Sequence, residues 1–132
     1  MNKVVHFEMP TDDFERAKKF YAEVFEWEMN TWPMQSGETY TGATTVATDP
    51  ETMTPKEPGA INGALVPRST TTNPTPIITL EVESIDDHLA KIETAGGKRL
   101  SERTEIPGMG AYAYFQDSEG NAVGLWETFK KA

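Results

Sequence analysis

There is no cysteine in this chain of 132 residues. Disulfides, thiolate nucleophiles and Cys-ligated zinc or iron–sulfur centres are therefore excluded, and a cytoplasmic protein is expected. Positive charge is scarce: 12 Lys and Arg stand against 21 Asp and Glu, a net charge of −9. Such a chain is repelled by phosphate backbones and anionic lipid, so neither nucleic acid nor a membrane is an expected partner. No apolar run approaches the ~20 residues that span a bilayer, and the first residues enter a strand without a signal-peptide pattern. Histidine is scarcer still, at two residues. The nucleophile elbow, the Walker loop, the dinucleotide-binding glycine fingerprint and His-Glu-x-x-His are also missing.

What is present is a repeated plan. The length suits one domain spanning residues 1–132 with a sizeable core. Residues 3–9 alternate as a strand, with His6 and Glu8 on one face and Val5, Phe7 and Met9 on the other. Asp12 is placed to cap a helix with Glu15 at its third position. Phe14, Ala17, Phe20, Tyr21 and Val24 then recur at helical spacing over 13–25. Strands are expected at 26–32, 40–48 and 61–67, with the proline-rich 49–59 as a loop. The plan restarts after a polar linker at 68–76, which divides half-modules 1–67 and 77–132. Its second copy reads as strand 77–83, a helix capped by Ser84 and closed by Gly96-Gly97, then strands 98–103, 111–116 and 122–127. The order β-α-β-β-β occurs twice, an α+β architecture. Each sheet has one face covered by its helix, and the two curved sheets are expected to form a cleft.

Several motifs carry a family resemblance. Phe14-Glu15-Arg16-Ala17-Lys18-Lys19-Phe20-Tyr21 followed by Val24-Phe25-Glu26-Trp27 resembles the first helix of the vicinal oxygen chelate superfamily. That group includes glyoxalase I, extradiol dioxygenases and bleomycin-resistance proteins. Phe115-Gln116-Asp117-Ser118-Glu119-Gly120-Asn121-Ala122-Val123-Gly124-Leu125-Trp126 is similar to its closing hairpin, and Ala95-Gly96-Gly97 to the end of its second helix. The resemblance implies a glyoxalase-like fold and a homodimer, since many members build clefts between subunits. It also implies a metal site with one ligand from the first strand and one carboxylate from the last strand of each half. His6 falls on the first of these positions. Ile77, Gly124 and Gly63 fall on the other three, and none can coordinate.

A stable divalent site needs about three or four protein donors. His6 alone falls short, and Glu8 stands ~6.6 Å along the same strand face. No metal and no other cofactor is therefore expected. His88, beside Asp86 and Asp87, reads as a solvated surface residue. His6 titrates near neutrality and suits either a polar anchor or, with Glu8, a proton-transfer pair. Glycine at 63 and 124 marks close backbone approach, or widens the space for an organic ligand. Trp27 and Phe115 read as core. Trp32, Tyr112, Tyr114 and Trp126 lie on strands whose alternate faces are candidates to line the cleft, where flat rings stack on aromatic ligands. The 106–110 loop is either a flap or an ordinary turn. The leading expectation is a small-molecule-binding protein of glyoxalase or bleomycin-resistance type. It holds a hydrophobic or aromatic ligand near His6, with Trp32, Gly63, Ile77, Tyr112, Tyr114, Gly124 and Trp126 as lining. The alternatives are a lyase or isomerase resembling glyoxalase, metal-dependent or metal-free through His6 and Glu8, and a module without a ligand.

Overall fold

In the computed structural model, residues 1–34, 37–68 and 75–129 are described. Most of the expected linker, residues 69–74, lies outside them. Among the described residues the chain divides into two compact units, one of residues 6–68 with 75–76 and one of residues 1–5 with 77–129.

The first unit holds most of β1 (Val4–Thr11), then α1 (Phe14–Phe25), β2 (Glu28–Pro33), β3 (Thr39–Thr44) and β4 (Gly63–Pro67). Its strands lie in the order β2-β3-β4-β1. β1 and β4 run parallel with Glu8 opposite Ala64, whereas β3 is antiparallel to both β2 and β4.

Several boundaries differ from the periodicity, some through local caps and one through a longer-range side chain. Asp13, not Asp12, caps α1: its extended backbone lets the carboxylate accept the Arg16 N–H at 3.0 Å. Asp12 is instead paired with Arg68 at 3.1 Å. Helix α1 ends when Glu26 adopts a left-handed conformation (φ 60°) and donates its N–H to the Ala22 carbonyl. That turns Trp27 back onto the helix, so β2 starts two residues later than expected. The third change comes from Asn62, whose Oδ1 accepts the N–H groups of Thr45 (2.7 Å) and Val46 (3.2 Å). Its Nδ2 donates to the Val46 carbonyl at 3.2 Å. These bonds replace ladder pairing, so β3 stops at Thr44 and β4 starts at Gly63.

The second unit contains β5 (Ile77–Glu81), α2 (Ile85–Thr94), β6 (Lys98–Arg99), β7 (Thr104–Ile106), β8 (Gly110–Gln116) and β9 (Ala122–Thr128). Strands are ordered β5-β9-β8-β6, and β7 also pairs with β8. Of the strand expected at 98–103 only Lys98–Arg99 pairs, and β7 is a further short strand beyond it. Residues 106–110 form the β7–β8 turn, with Gly108 at φ 77° and the Met109 N–H bonded to the Ile106 carbonyl.

Packing is unequal. Helix α2 seats Ile85 and Leu89 among Val82, Ala111, Ala113, Phe115, Val123 and Leu125. Burying each of those two side chains contributes ~1.5–3 kcal/mol. Its first turn is capped twice, by Ser84 and by Glu127, whose carboxylate accepts the Ile85 N–H at 2.9 Å. Glu127 is held in turn by Arg103 at 2.9 Å, and these bonds keep its carboxyl below the usual range. Helix α1 buries none of its residues fully. It rests on its sheet through rings: Tyr21 stacks on Trp27 at 4.8 Å, and Trp27 meets Phe7 at 5.6 Å.

Candidate functional site

Register decides which side chains meet. In residues 6–68, the pairings Glu8–Ala64–Gly42–Asn30 and Trp32–Tyr40 put His6, Glu8, Tyr40 and Trp32 on one sheet face. Phe7, beside Trp27 and Tyr21, lies on the opposite face, the side that α1 covers. The floor between Glu8 and Asn30 is Ala64 and Gly42, both buried. Trp32 lies across Gly42 so closely that a Cβ there would stand 2.7 Å from Trp32 Cζ3. The Trp32 and Tyr40 rings stack at 6.0 Å with 23° between planes, and 49% and 37% of these residues remain exposed.

The electrostatics are those of a neutral imidazole and a neutral phenol around one carboxylate. Burial lowers the His6 pKa from its usual 6.5, opposed by the nearby Glu8 charge and by the Asn62 carbonyl, which accepts from the ring. Tyr40 is partly exposed. Desolvation and the Glu8 charge push its pKa up to about 12. Tyr40 therefore stays an O–H donor through the physiological range. Three residues here had no assigned role from sequence: Tyr40, Gly42 and Asn62. The alternation Tyr40-x-Gly42-x-Thr44 opposite Trp32 was the available signal, and Asn62 had none, because its bonds reach 14 to 17 residues along the chain.

The second unit carries its own ring-bearing face. Ile77, Thr79, Tyr112, Tyr114, Gly124 and Trp126 share the side of the sheet opposite α2. Tyr112 and Tyr114 meet edge-on at 6.0 Å, and Trp126 donates its indole N–H to Thr128 at 2.8 Å. A Cβ on Gly124 would stand 2.7 Å from the Thr79 hydroxyl, so this glycine is a close-approach position. Ile77 is fully buried and presents no surface to a ligand.

Gly63 requires a correction. It was expected beside His6, but it lies on the Phe7 face, where a Cβ would stand 2.6 Å from the Phe7 ring. The one-residue step from Ala64 reverses the side, as a period of two dictates. Gly63 is a packing glycine under the α1 side of the sheet. His88 is half-buried, with Nδ1 3.2 Å from the Ser84 carbonyl. A hollow of about 310 Å³ lies under α1, lined by Met9, Thr11, Phe20, Tyr21 and Arg68 among others. It is on the face away from His6.

The superfamily's metal centre does not fit these residues. His6 and Glu8 offer two donors, while Ile77, Gly124 and Gly63 offer none. Among the described residues no group of three or more His, Cys, Asp or Glu is placed to hold an ion.

Residues 3–45 match the model of the bleomycin resistance protein-like N-terminal family. Over 121 residues the chain is 29% identical to proteins named as the glyoxylase CFP32 in Mycobacterium bovis and Mycobacterium tuberculosis. The match covers 91% of this chain and 43% of each relative, so the chain spans less than half their length. Among solved structures, a hypothetical protein of Bacillus halodurans aligns with a TM-score of 0.66 at 14% identity, over 99% of this chain and 97% of that one. Methylmalonyl-CoA epimerase of M. tuberculosis aligns with a TM-score of 0.63 at 12% identity, over 96% and 88%. The Streptomyces coelicolor epimerase, in complex with 2-nitronate-propionyl-CoA, aligns at 0.66 and 14%, over 98% and 99%. The α+β fold is thus the glyoxalase-like one. The chain's N-terminal third is similar to a bleomycin-resistance family, and most of the chain is similar to proteins named as glyoxylases.

Proposed function

We propose that this protein binds a small hydrophobic or aromatic molecule against the face built by His6, Glu8, Tyr40 and Trp32, without a metal ion. One observation carries the reading: two partly exposed rings stand on the same sheet face as a half-buried imidazole and a carboxylate. Large flat rings left accessible beside a few convergent polar groups are the usual make-up of a ligand site. The face with Tyr112, Tyr114, Gly124 and Trp126 is proposed, by itself, as a ligand-contact surface of the second unit. A cytoplasmic homodimer is proposed on the family resemblance and the absence of cysteine.

Metal analysis of protein purified without chelator comes first, and stoichiometric zinc, nickel, manganese or iron sinks the metal-free reading. A thermal-shift screen of aromatic small molecules, repeated on His6→Ala and Trp32→Ala, tests the rest. Stabilisation lost in both variants supports the site, and hits unaffected by either place the ligand elsewhere.

A second reading, a lyase or isomerase that moves a proton through His6 and Glu8, is favoured by the lowered His6 pKa. Burial holds the imidazole in its neutral, basic form near pH 7, with a carboxylate close by. Methylglyoxal–glutathione turnover that disappears in His6→Gln would favour it over simple binding.

A further inference from the structure

We infer that Asn62 is the positioning residue of the His6 face: its carbonyl takes the ring proton of the imidazole, which leaves the other ring nitrogen as an acceptor for the ligand. The inference rests on the binding reading above and adds the group that the ligand presents there, an O–H or N–H donor.

Register brings the two residues together. β1 and β4 run parallel with Glu8 opposite Ala64 and Met9 opposite Leu65. One step back, Gly63 lies against Phe7, where a Cβ would stand 2.4 Å from the Phe7 carbonyl oxygen. One further step at the same ~3.3 Å rise sets Asn62 alongside His6. The Asn62 carbonyl there accepts from the imidazole.

The Asn62 side chain holds that carbonyl in place. Its Oδ1 accepts the N–H groups of Thr45 at 2.7 Å and Val46 at 3.2 Å. Its Nδ2 donates to the Val46 carbonyl and to the Thr48 hydroxyl, both at 3.2 Å. Flipping the amide would set its NH2 against two N–H donors and its oxygen against a carbonyl, so one orientation alone satisfies the network. One residue earlier, the Ile61 carbonyl accepts from the Thr45 hydroxyl at 2.8 Å. The chain is therefore pinned at 61 and 62 before β4 begins.

A neutral imidazole has one N–H and one bare nitrogen, and the bond that the N–H makes decides which is which. With its proton given to Asn62, neutral His6 has no second N–H to donate. Its other nitrogen has no hydrogen-bond partner among the described residues, and the residue is half-buried. A lone pair left unmet in a partly desolvated place favours a ligand that brings a donor. A hydroxylated ring meets that need. The same ring with its oxygen methylated does not, although its shape is nearly the same.

The test reads the ring nitrogen resonances of His6 by NMR at a pH above ~8, where the imidazole is neutral, in a His88→Gln background that removes the other histidine. The protein should hold one tautomer in about tenfold excess. Asn62→Ala should bring the ratio at least about threefold nearer to that of the urea-unfolded chain. Thr48→Val removes one partner of the amide and should move the ratio the same way, which keeps the test open if Asn62→Ala does not fold. Leu89→Ala, a destabilising change in the other unit, should leave the ratio unchanged. Ligand choice is read with 2-naphthol and 2-methoxynaphthalene, by titration of the bare-nitrogen resonance. The naphthol should bind about tenfold more tightly, and Asn62→Ala should cut that preference to about twofold. Mixed tautomers in the unaltered site, a ratio indifferent to both Asn62→Ala and Thr48→Val, or equal binding of the two probes overturns the inference and leaves the binding face standing. If neither probe binds, the binding reading fails, and the tautomer ratio still decides the role of Asn62.

Discussion

Gly63→Ala tests the register that separates the two faces of the first unit. A methyl on Gly63 would stand 2.4 Å from the Phe7 carbonyl oxygen and 2.6 Å from two Phe7 ring carbons. Carbon contacts settle near ~3.5 Å, so about 1 Å must open toward each. The ring can tilt, but the carbonyl belongs to β1, which is laddered to β4. Overpacking costs ~1–3 kcal/mol, and a backbone obstacle puts this substitution at ~2–3 kcal/mol. Gly42→Ala provides the contrast. Its methyl would meet Trp32 Cζ3 at 2.7 Å, the far edge of a ring that is half exposed and free to swing outward. That cost should stay below ~1 kcal/mol. Urea unfolding followed by far-UV circular dichroism, at unchanged m-value, measures both. A Gly63→Ala protein within ~0.5 kcal/mol of wild type, or a Gly42→Ala protein equally destabilised, refutes the reasoning.

Leu89→Ala, in a fully buried site on α2, should cost ~2–5 kcal/mol by chemical denaturation. Amide exchange should be slower across α2 than across α1, because α2 buries Ile85 and Leu89 while α1 buries no residue fully; equal protection would contradict the packing described. The His6 pKa by NMR should fall below 6.5. The unfolded chain then binds a proton that the folded one refuses, so the His6 contribution to stability is present above ~6.5 and lost as pH falls through that value toward the folded-state pKa. His6→Gln should flatten that part of the profile. Ultraviolet titration should show a phenol ionising near 12 that disappears in Tyr40→Phe. Its raised pKa contributes stability below ~10 that is lost as pH rises toward the folded-state value; a lost transition centred at ~10 would mean that the hydroxyl is solvated.

The element order was legible in the chain because it depends on local patterns. Helical spacing at Phe14, Ala17 and Tyr21, the cap at Ser84 and the glycines after α2 act within a few residues of themselves. The alternation of β1 likewise put His6 and Glu8 together on the face opposite Phe7. In the second unit, period-two alternation alone groups Tyr112 with Tyr114 and Gly124 with Trp126. What the chain could not disclose depends on pairing between distant strands. Only the β1–β4 register assigns Gly63 to the Phe7 side and Ala64 to the His6 side, and a one-residue difference exchanges the His6 face for a packing contact. Only the β2–β3 register brings Tyr40 to Trp32 over Gly42. Asn62 ends β3 early and delays the start of β4 through bonds to Thr45 and Val46 that no local signal announces. Local propensity thus determined which segments are strands and helices, and tertiary pairing decided which side chains share a surface. Backbone hydrogen bonding selects one register from several that local propensity leaves nearly equal.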